Sequence, residues 1–339
     1  MKHFSALAGS LAAALVLAGS AAAQDVTLRF HQFLPPQSYV PAEAITPWAA
    51  QIEAESDGRI KIERYDAMAL GGSPAQLFDQ AKDGVVDIVW TVLGYTPGRF
   101  PKSEAFELPF LISTDPVASS RAFQRYVEEY AADEFAGVKL ITAHVHGPGL
   151  FHSKDPIEKL EDLQGMKIRG GSRIINEMLS ALGAEPIGMP VPQVPEALSK
   201  GVIDGATIPW EVTTAIHTSE LVHNHTGFSG DKALYTQTFA VVMNLDSYNA
   251  LPDDLKAIID AHSGVETAAL FGKAMAAGDA AGIAIAEDLG NNIITLDPAE
   301  TDRWKNAAWP TVENWIASTP NGQELYDAAN ALVAEESGM

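Results

Sequence analysis

Val85-Val86-Asp87-Ile88-Val89-Trp90 is a short apolar run entered through Asp83-Gly84, and the segments before it decide what kind of sheet it joins. A run of this length bounded by turn residues reads as a buried strand. Ser73-Pro74 starts the preceding helix, with an N-cap serine and a proline at the first helical position. Further back, Ile60-Lys61-Ile62-Glu63-Arg64-Tyr65 alternates at period two, and a helix from about 40 to 56 leads to it and ends on Asp57-Gly58-Arg59. The stretch from Asp25 to Phe33 alternates as well, with Val26, Leu28 and Phe30 on one face before Leu34-Pro35-Pro36 breaks it. Strand, helix, strand, helix, strand at these spacings is a parallel α/β pattern, which places loops and ligands at the carboxyl ends of strands.

A second stretch points to chemistry. Leu163-Gln164-Gly165-Met166-Lys167-Ile168-Arg169-Gly170-Gly171 ends an apolar run in a cation, where a strand gives way to a loop. Guanidinium is planar, permanently charged and able to donate two parallel hydrogen bonds to a carboxylate, so Arg169 is the candidate anchor for a carboxylate ligand. Gly170-Gly171 allows the backbone to bend or to approach a ligand.

Composition sets the setting. Met1-Lys2-His3, an apolar stretch to Leu17 and Ala21-Ala22-Ala23 before Gln24-Asp25 read as a secretory signal peptide, residues 1–23, with a small-residue cleavage site. No cysteine stands at that junction, which excludes a lipid-anchored lipoprotein, and no later stretch reaches the roughly 18 unbroken apolar residues of a membrane span. The expectation is an exported, periplasmic protein that does not insert in the membrane. With 0 Cys, its stability comes from core burial. A net charge of −22 argues against nucleic acid and anionic membrane surfaces as partners. It also means that an anionic ligand needs a local cation away from carboxylates.

The opening Leu28-Arg29-Phe30 strand, Leu70-Gly71-Gly72, Asp83 to Asp87 and Phe106-Glu107-Leu108-Pro109-Phe110-Leu111 resemble the amino-terminal half of the solute-binding proteins of TRAP transporters, the DctP-like family. In the second half Leu163 to Arg169, Leu182-Gly183-Ala184-Glu185-Pro186, Gly201-Val202-Ile203-Asp204-Gly205 and Leu251-Pro252-Asp253-Asp254-Leu255 follow in the family's order, ahead of an Ala-rich helix from Val265 to Leu289. The resemblance implies a two-lobed α/β periplasmic binding protein of type II-like design, with a hinge, a central cleft and a long late helix spanning the lobes. It places residues 25–146 plus 235–274 in lobe 1 and 147–234 plus 275–339 in lobe 2, the terminal segment packing against both lobes. It further implies a monomer that closes around one small organic acid and delivers it to the small and large membrane permease subunits, with no cofactor and no catalysis.

In that family the residue corresponding to Arg169 pairs with the ligand carboxylate. Sialic-acid-binding members carry a second arginine where this chain has Gly149, an asparagine where it has Ile208 and a glutamate where it has Val92. A heavily hydroxylated sugar acid is thereby disfavoured. The remaining candidate ligand-binding residues are Phe33, Trp90, Tyr95, Pro209, Trp210 and Phe239, with His31, His144, His146 and Glu211 as polar points. Core packing accounts equally well for Phe33 and Phe239. An acid with a flat apolar body fits this lining, and so does a zwitterion of the ectoine or betaine type, whose cation would meet aromatic faces and Glu211.

Other readings are weaker. His144-x-His146 and His223-x-His225 each put two imidazoles on one strand face, but no third metal ligand is evident and no metal is expected. Arg99 reads as a loop anchor and Glu107 as a lobe contact. No Gly-x-Ser-x-Gly, Walker A or His-Glu-x-x-His motif supports a secreted enzyme. A sensor-coupled binding protein would share the fold.

Overall fold

A computed structural model describes residues 26–339; the signal-peptide reading lies outside the described residues. The strands in chain order are β1 (Val26–His31), β2 (Ile60–Tyr65), β3 (Ile88–Val92), β4 (Val138–Val145), β5 (Leu150–Ser153), β6 (Lys167–Gly170), β7 (Glu185–Gly188), β8 (Gly205–Ile208), β9 (Asn224–Phe228), β10 (Thr238–Asn244) and β11 (Asn292–Leu296). They form two sheets, one ordered β2-β1-β3-β10-β4 and the other β11-β9-β5-β8-β6-β7. Each sheet is the centre of one lobe.

The period-two reading of β1 and β2 matches a parallel pair in register from Val26 opposite Ile60 to His31 opposite Tyr65. The third strand starts later than the sequence suggests, at Ile88, and runs on to Val92. Val85 is 56% exposed in the turn ahead of it. The parallel pattern is also incomplete: β10 runs antiparallel between β3 and β4, every residue of it buried. An all-apolar strand covered on both faces carries no mark of its direction.

The chain crosses between lobes at 146–149 and again at 229–237. The two crossings lie side by side, with the Gly149 N–H donating to Tyr235 O at 2.9 Å and the His146 N–H to Gln237 O at 3.4 Å. The third connection is the helix Val265–Asp288, which packs on the first-lobe helix Pro116–Tyr130 and on the second-lobe helix Trp210–Ile216. Among the described helices it alone is long and apolar enough to cross a membrane, but its small residues are spent on lobe contacts. A Cβ at Gly272 would lie 2.7 Å from Pro116 O, and one at Gly282 would lie 2.3 Å from Trp210 O, so both lobes press directly on the helix backbone.

The terminal segment divides between the lobes. Helix Pro298–Ser318 lies on the second-lobe helix Arg173–Ala181 and continues through Pro310, held by buried Trp304, Val312 and Trp315. The last helix, Gly322–Ser337, returns to the first lobe, where Arg125 pairs with Glu336 at 2.7 Å. Residues 322–337, grouped by the sequence with the second lobe, thus pack on the first.

Candidate functional site

Arg169 sits in β6 with Ala206 of β8 on one side and Ile187 of β7 on the other. Only 1% of it is exposed. Its Nε donates to Met189 O at 2.9 Å and its Nη1 to Thr207 O at 3.1 Å, while the buried Nη2 has no partner among the described residues. Among the described residues no carboxylate forms an ion pair with it. A buried cation without a counter-charge is costly, and this one is oriented by two carbonyls so that its free edge faces a cavity.

That cavity lies between the lobes. The first lobe lines it with Phe33, Leu34, Trp90, Val92, Tyr95 and Phe239, and the second with Arg169, Val191, Ile208, Pro209, Glu211 and Val212. His146, Gln237 and Met275 complete it from the crossing segments. Val92 and Ile208, the apolar replacements for two polar contacts of sialic-acid binders, both face this space.

The aromatic residues are layered. Phe33 and Trp90 stack at 4.8 Å and 13°, and Trp90 and Phe239 at 5.4 Å and 10°, with Tyr95 edge-on to Phe33 at 6.1 Å. Trp90 Nε1 donates to His144 Nε2 at 2.8 Å, so the indole turns only carbon toward the cavity. His146 also contributes a ring rather than a polar contact: its Nε2 accepts the Gln237 N–H at 3.0 Å and its Nδ1 faces Gly147 O at 2.5 Å. Burial, reinforced by the Arg169 charge, pushes His146 down to about 3, so it is neutral. His144 is likewise held at about 3 by burial.

The two histidine pairs weighed as metal ligands are engaged elsewhere. The nitrogens of His144 and His146 are bonded as described, and His225 Nδ1 meets His152 Nδ1 at 2.7 Å. Among the described residues no group of three or more metal-binding side chains comes together. Arg99 pairs with Asp79 at 2.7 Å and covers the Phe78 ring, inside the first lobe. Glu107 receives both the N–H and the hydroxyl of Thr238, and burial pushes it up to about 7.

Two candidates stand off the cavity. His31 faces Gln80 Oε1 at 2.7 Å and accepts the Leu70 N–H at 3.3 Å, so it fastens the loop after β2. Trp210 is packed with His152 and His225, at ring distances of 4.9 and 4.7 Å. Consecutive residues on a helix point about 100° apart; Glu211 and Val212 face the cavity and Trp210 faces the second-lobe interior.

Two neighbours of Arg169 went unread in the sequence. Tyr235 is fully buried, and among the described residues neither its hydroxyl nor the buried Nε2 of Gln237 has a partner. Glycines opposite them were the available signal. A Cβ at Gly149 would stand 2.1 Å from the Tyr235 ring, and one at Gly171 would stand 2.2 Å from Gln237 Oε1. Gly149 is therefore the space for Tyr235, and Gly171 serves Gln237 rather than a ligand.

Glu211 is the cavity's carboxyl. One of its oxygens, Oε1, has no partner among the described residues, and the carboxyl is pushed up to about 8 by burial and by neighbouring Asp279. Asp279 is itself raised to about 7 by burial, although it accepts the Glu211 N–H at 2.7 Å.

Solved structures share this architecture. A TRAP solute-binding protein from Rhodoferax ferrireducens, in complex with copurified benzoate, is 47% identical over 92% of this chain and 99% of its own, with a TM-score of 0.90. A marine-metagenome TRAP solute-binding protein specific for aromatic acid ligands, in complex with 3-hydroxybenzoate, is 43% identical with the same coverage and TM-score. The ectoine/5-hydroxyectoine-binding periplasmic protein UehA of Ruegeria pomeroyi is 27% identical over 253 residues, 72% of this chain and 71% of its own. The profile of bacterial extracellular solute-binding protein family 7, DctP, matches residues 30–319, and with the two-lobed fold around Arg169 this chain belongs to that family, the solute-binding proteins of TRAP transporters.

Proposed function

We propose that the chain captures a small aromatic carboxylate in the periplasm and hands it to the two membrane subunits of its transporter. One observation carries this reading: a buried guanidinium, counter-charged by no group among the described residues, opens through Nη2 onto a cavity bounded by stacked aromatic rings. Carboxylate and flat apolar body match those two features in turn. The acids held by the two similar solved proteins agree with it.

A zwitterion is the second reading, favoured by the likeness to the ectoine binder. It requires an ionised Glu211 opposite the ligand's cation. Burial and Asp279 oppose that ionisation, so the acid is the better fit.

Thermal unfolding of the mature protein with benzoates, mandelates, keto acids, ectoine and betaine decides between them. Ligand at 100 times its dissociation constant adds about 2.7 kcal/mol of stability. Stabilisation by an aromatic acid, lost in Arg169→Ala and with the acid recovered unchanged, is the expected result. Stabilisation by ectoine alone, or by acids equally in Arg169→Ala, overturns the reading.

A further inference from the structure

Arg169 and Glu211 both line the cavity without pairing with each other: Arg169 Nη2 and Glu211 Oε1 are each left without a partner among the described residues. Glu211 is 2% exposed, lines the cavity and keeps Oε1 without a partner among the described residues. Carboxylate capture at Arg169 makes no use of it, and a buried oxygen left unbonded is costly in a site that has no other use for it.

Its position is set by backbone rather than by a flexible chain. The Glu211 N–H is held by Asp279 Oδ1 at 2.7 Å. The helix Val265–Asp288 comes so close that a Cβ at Gly278 would lie 2.4 Å from Glu211 Cγ. The carboxyl therefore has little room to swing away. A carboxyl that keeps its proton has one O–H donor and one carbonyl acceptor, and a phenolic hydroxyl offers the complementary acceptor and donor.

We propose that Glu211 reads a hydroxyl on the ligand ring remote from the carboxylate, so that the site prefers meta- or para-hydroxylated benzoates to benzoate itself. This rests on the aromatic-acid reading of the cavity. With the carboxylate fixed at Arg169, an ortho hydroxyl stays beside it, so the 2-hydroxy isomer gains nothing from Glu211.

Titration calorimetry with benzoate and with 2-, 3- and 4-hydroxybenzoate tests it on the mature protein and on Glu211→Leu. The wild type should bind the 3- or 4-hydroxy acid about tenfold more tightly than benzoate and the 2-hydroxy acid, the scale of one well-placed hydrogen bond in a buried site. Glu211→Leu should lose that preference, binding the 3- and 4-hydroxy acids no more tightly than it binds benzoate. Equal binding of benzoate and the hydroxylated acids by wild type, or a preference that survives in Glu211→Leu, overturns this inference alone. No binding of any of the four acids overturns the aromatic-acid reading and this inference with it. Should Glu211→Leu not fold, the methyl analogue of the preferred isomer replaces it as the probe: affinity equal to that of the hydroxy acid overturns the proposal, and a roughly tenfold loss supports it.

Discussion

The Tyr95 hydroxyl, in the first lobe, accepts a hydrogen bond at 2.9 Å from the backbone N–H of Val191 in the second. A side chain that lines the cavity therefore also fastens the two lobes over it. Glu104 and Arg173 fasten them again farther out, with Arg173 Nε 3.2 Å from Glu104 Oε1.

Tyr95→Phe removes the cross-lobe bond and keeps the ring. A neutral hydrogen bond contributes about 0.5–1.5 kcal/mol net, so ligand affinity should fall by roughly two- to twelvefold, through faster dissociation of a less favoured closed form. Stopped-flow dissociation and calorimetry read this directly. Unchanged dissociation would mean that the bond does not distinguish open from closed protein.

Arg169→Lys is predicted to be almost as damaging as Arg169→Ala. A single ammonium cannot hold Met189 O and Thr207 O and still present a planar edge to a carboxylate. The charge-assisted bond it weakens is worth about 1.5–3 kcal/mol, or roughly 10- to 150-fold in affinity. Lysine that supports wild-type affinity would show that charge alone, without geometry, makes the site.

Gly149→Ala should destabilise the protein and weaken binding together, because the added Cβ would stand 2.1 Å from the Tyr235 ring beside Arg169. Overpacking of this kind costs about 1–3 kcal/mol. Denaturant unfolding measures the first effect and calorimetry the second. An alanine variant as stable as wild type would mean that the Tyr235 ring moves freely.

Stability should decline as pH rises from about 6.5 to 8. Glu211 and Asp279 have folded-state pKa values raised to about 8 and about 7, so over that window the folded chain binds more protons than the unfolded one and stability falls with pH. His144, His146 and His225 are shifted the other way, to about 3, 3 and 4. They add stability as pH rises from about 4 toward 6.5 and nothing beyond it. Each fully engaged group contributes about 1.4 kcal/mol per pH unit. Melting temperatures of the unliganded protein between pH 6.5 and 8 should therefore slope downward, less steeply in Glu211→Gln. A flat wild-type profile would contradict the burial of these carboxyls.

Much of the site was legible because its residues end strands. Arg169, Trp90 and Phe33 close or follow β6, β3 and β1, and Pro209 and Glu211 follow β8, where an α/β fold puts its ligands. Together with Tyr95, Phe239 and His146 they line one cavity. What failed to show in the sequence was direction. Trp210 and Glu211 are adjacent and point apart, and His31 leads away to Gln80. The uniformly buried β10 gave no sign that it runs antiparallel. Tyr235 and Gln237 escaped because their partners are glycines, which register as missing side chains rather than as space made for others.

The strand order of the first sheet also governs when that lobe is able to fold. β3 and β4 are joined only through β10, whose seven residues lie more than ninety positions after β4 in the chain. As the polypeptide emerges into its compartment from the amino terminus, β5 to β9 are all delivered before the first sheet has β10, the strand that joins β4 to the rest. The later lobe in sequence is thus the first whose strands pair in an unbroken run, β9-β5-β8-β6-β7, lacking only the edge strand β11. Pulsed hydrogen exchange during refolding should find β5 and β8 amides protected no later than those of β3 and β4.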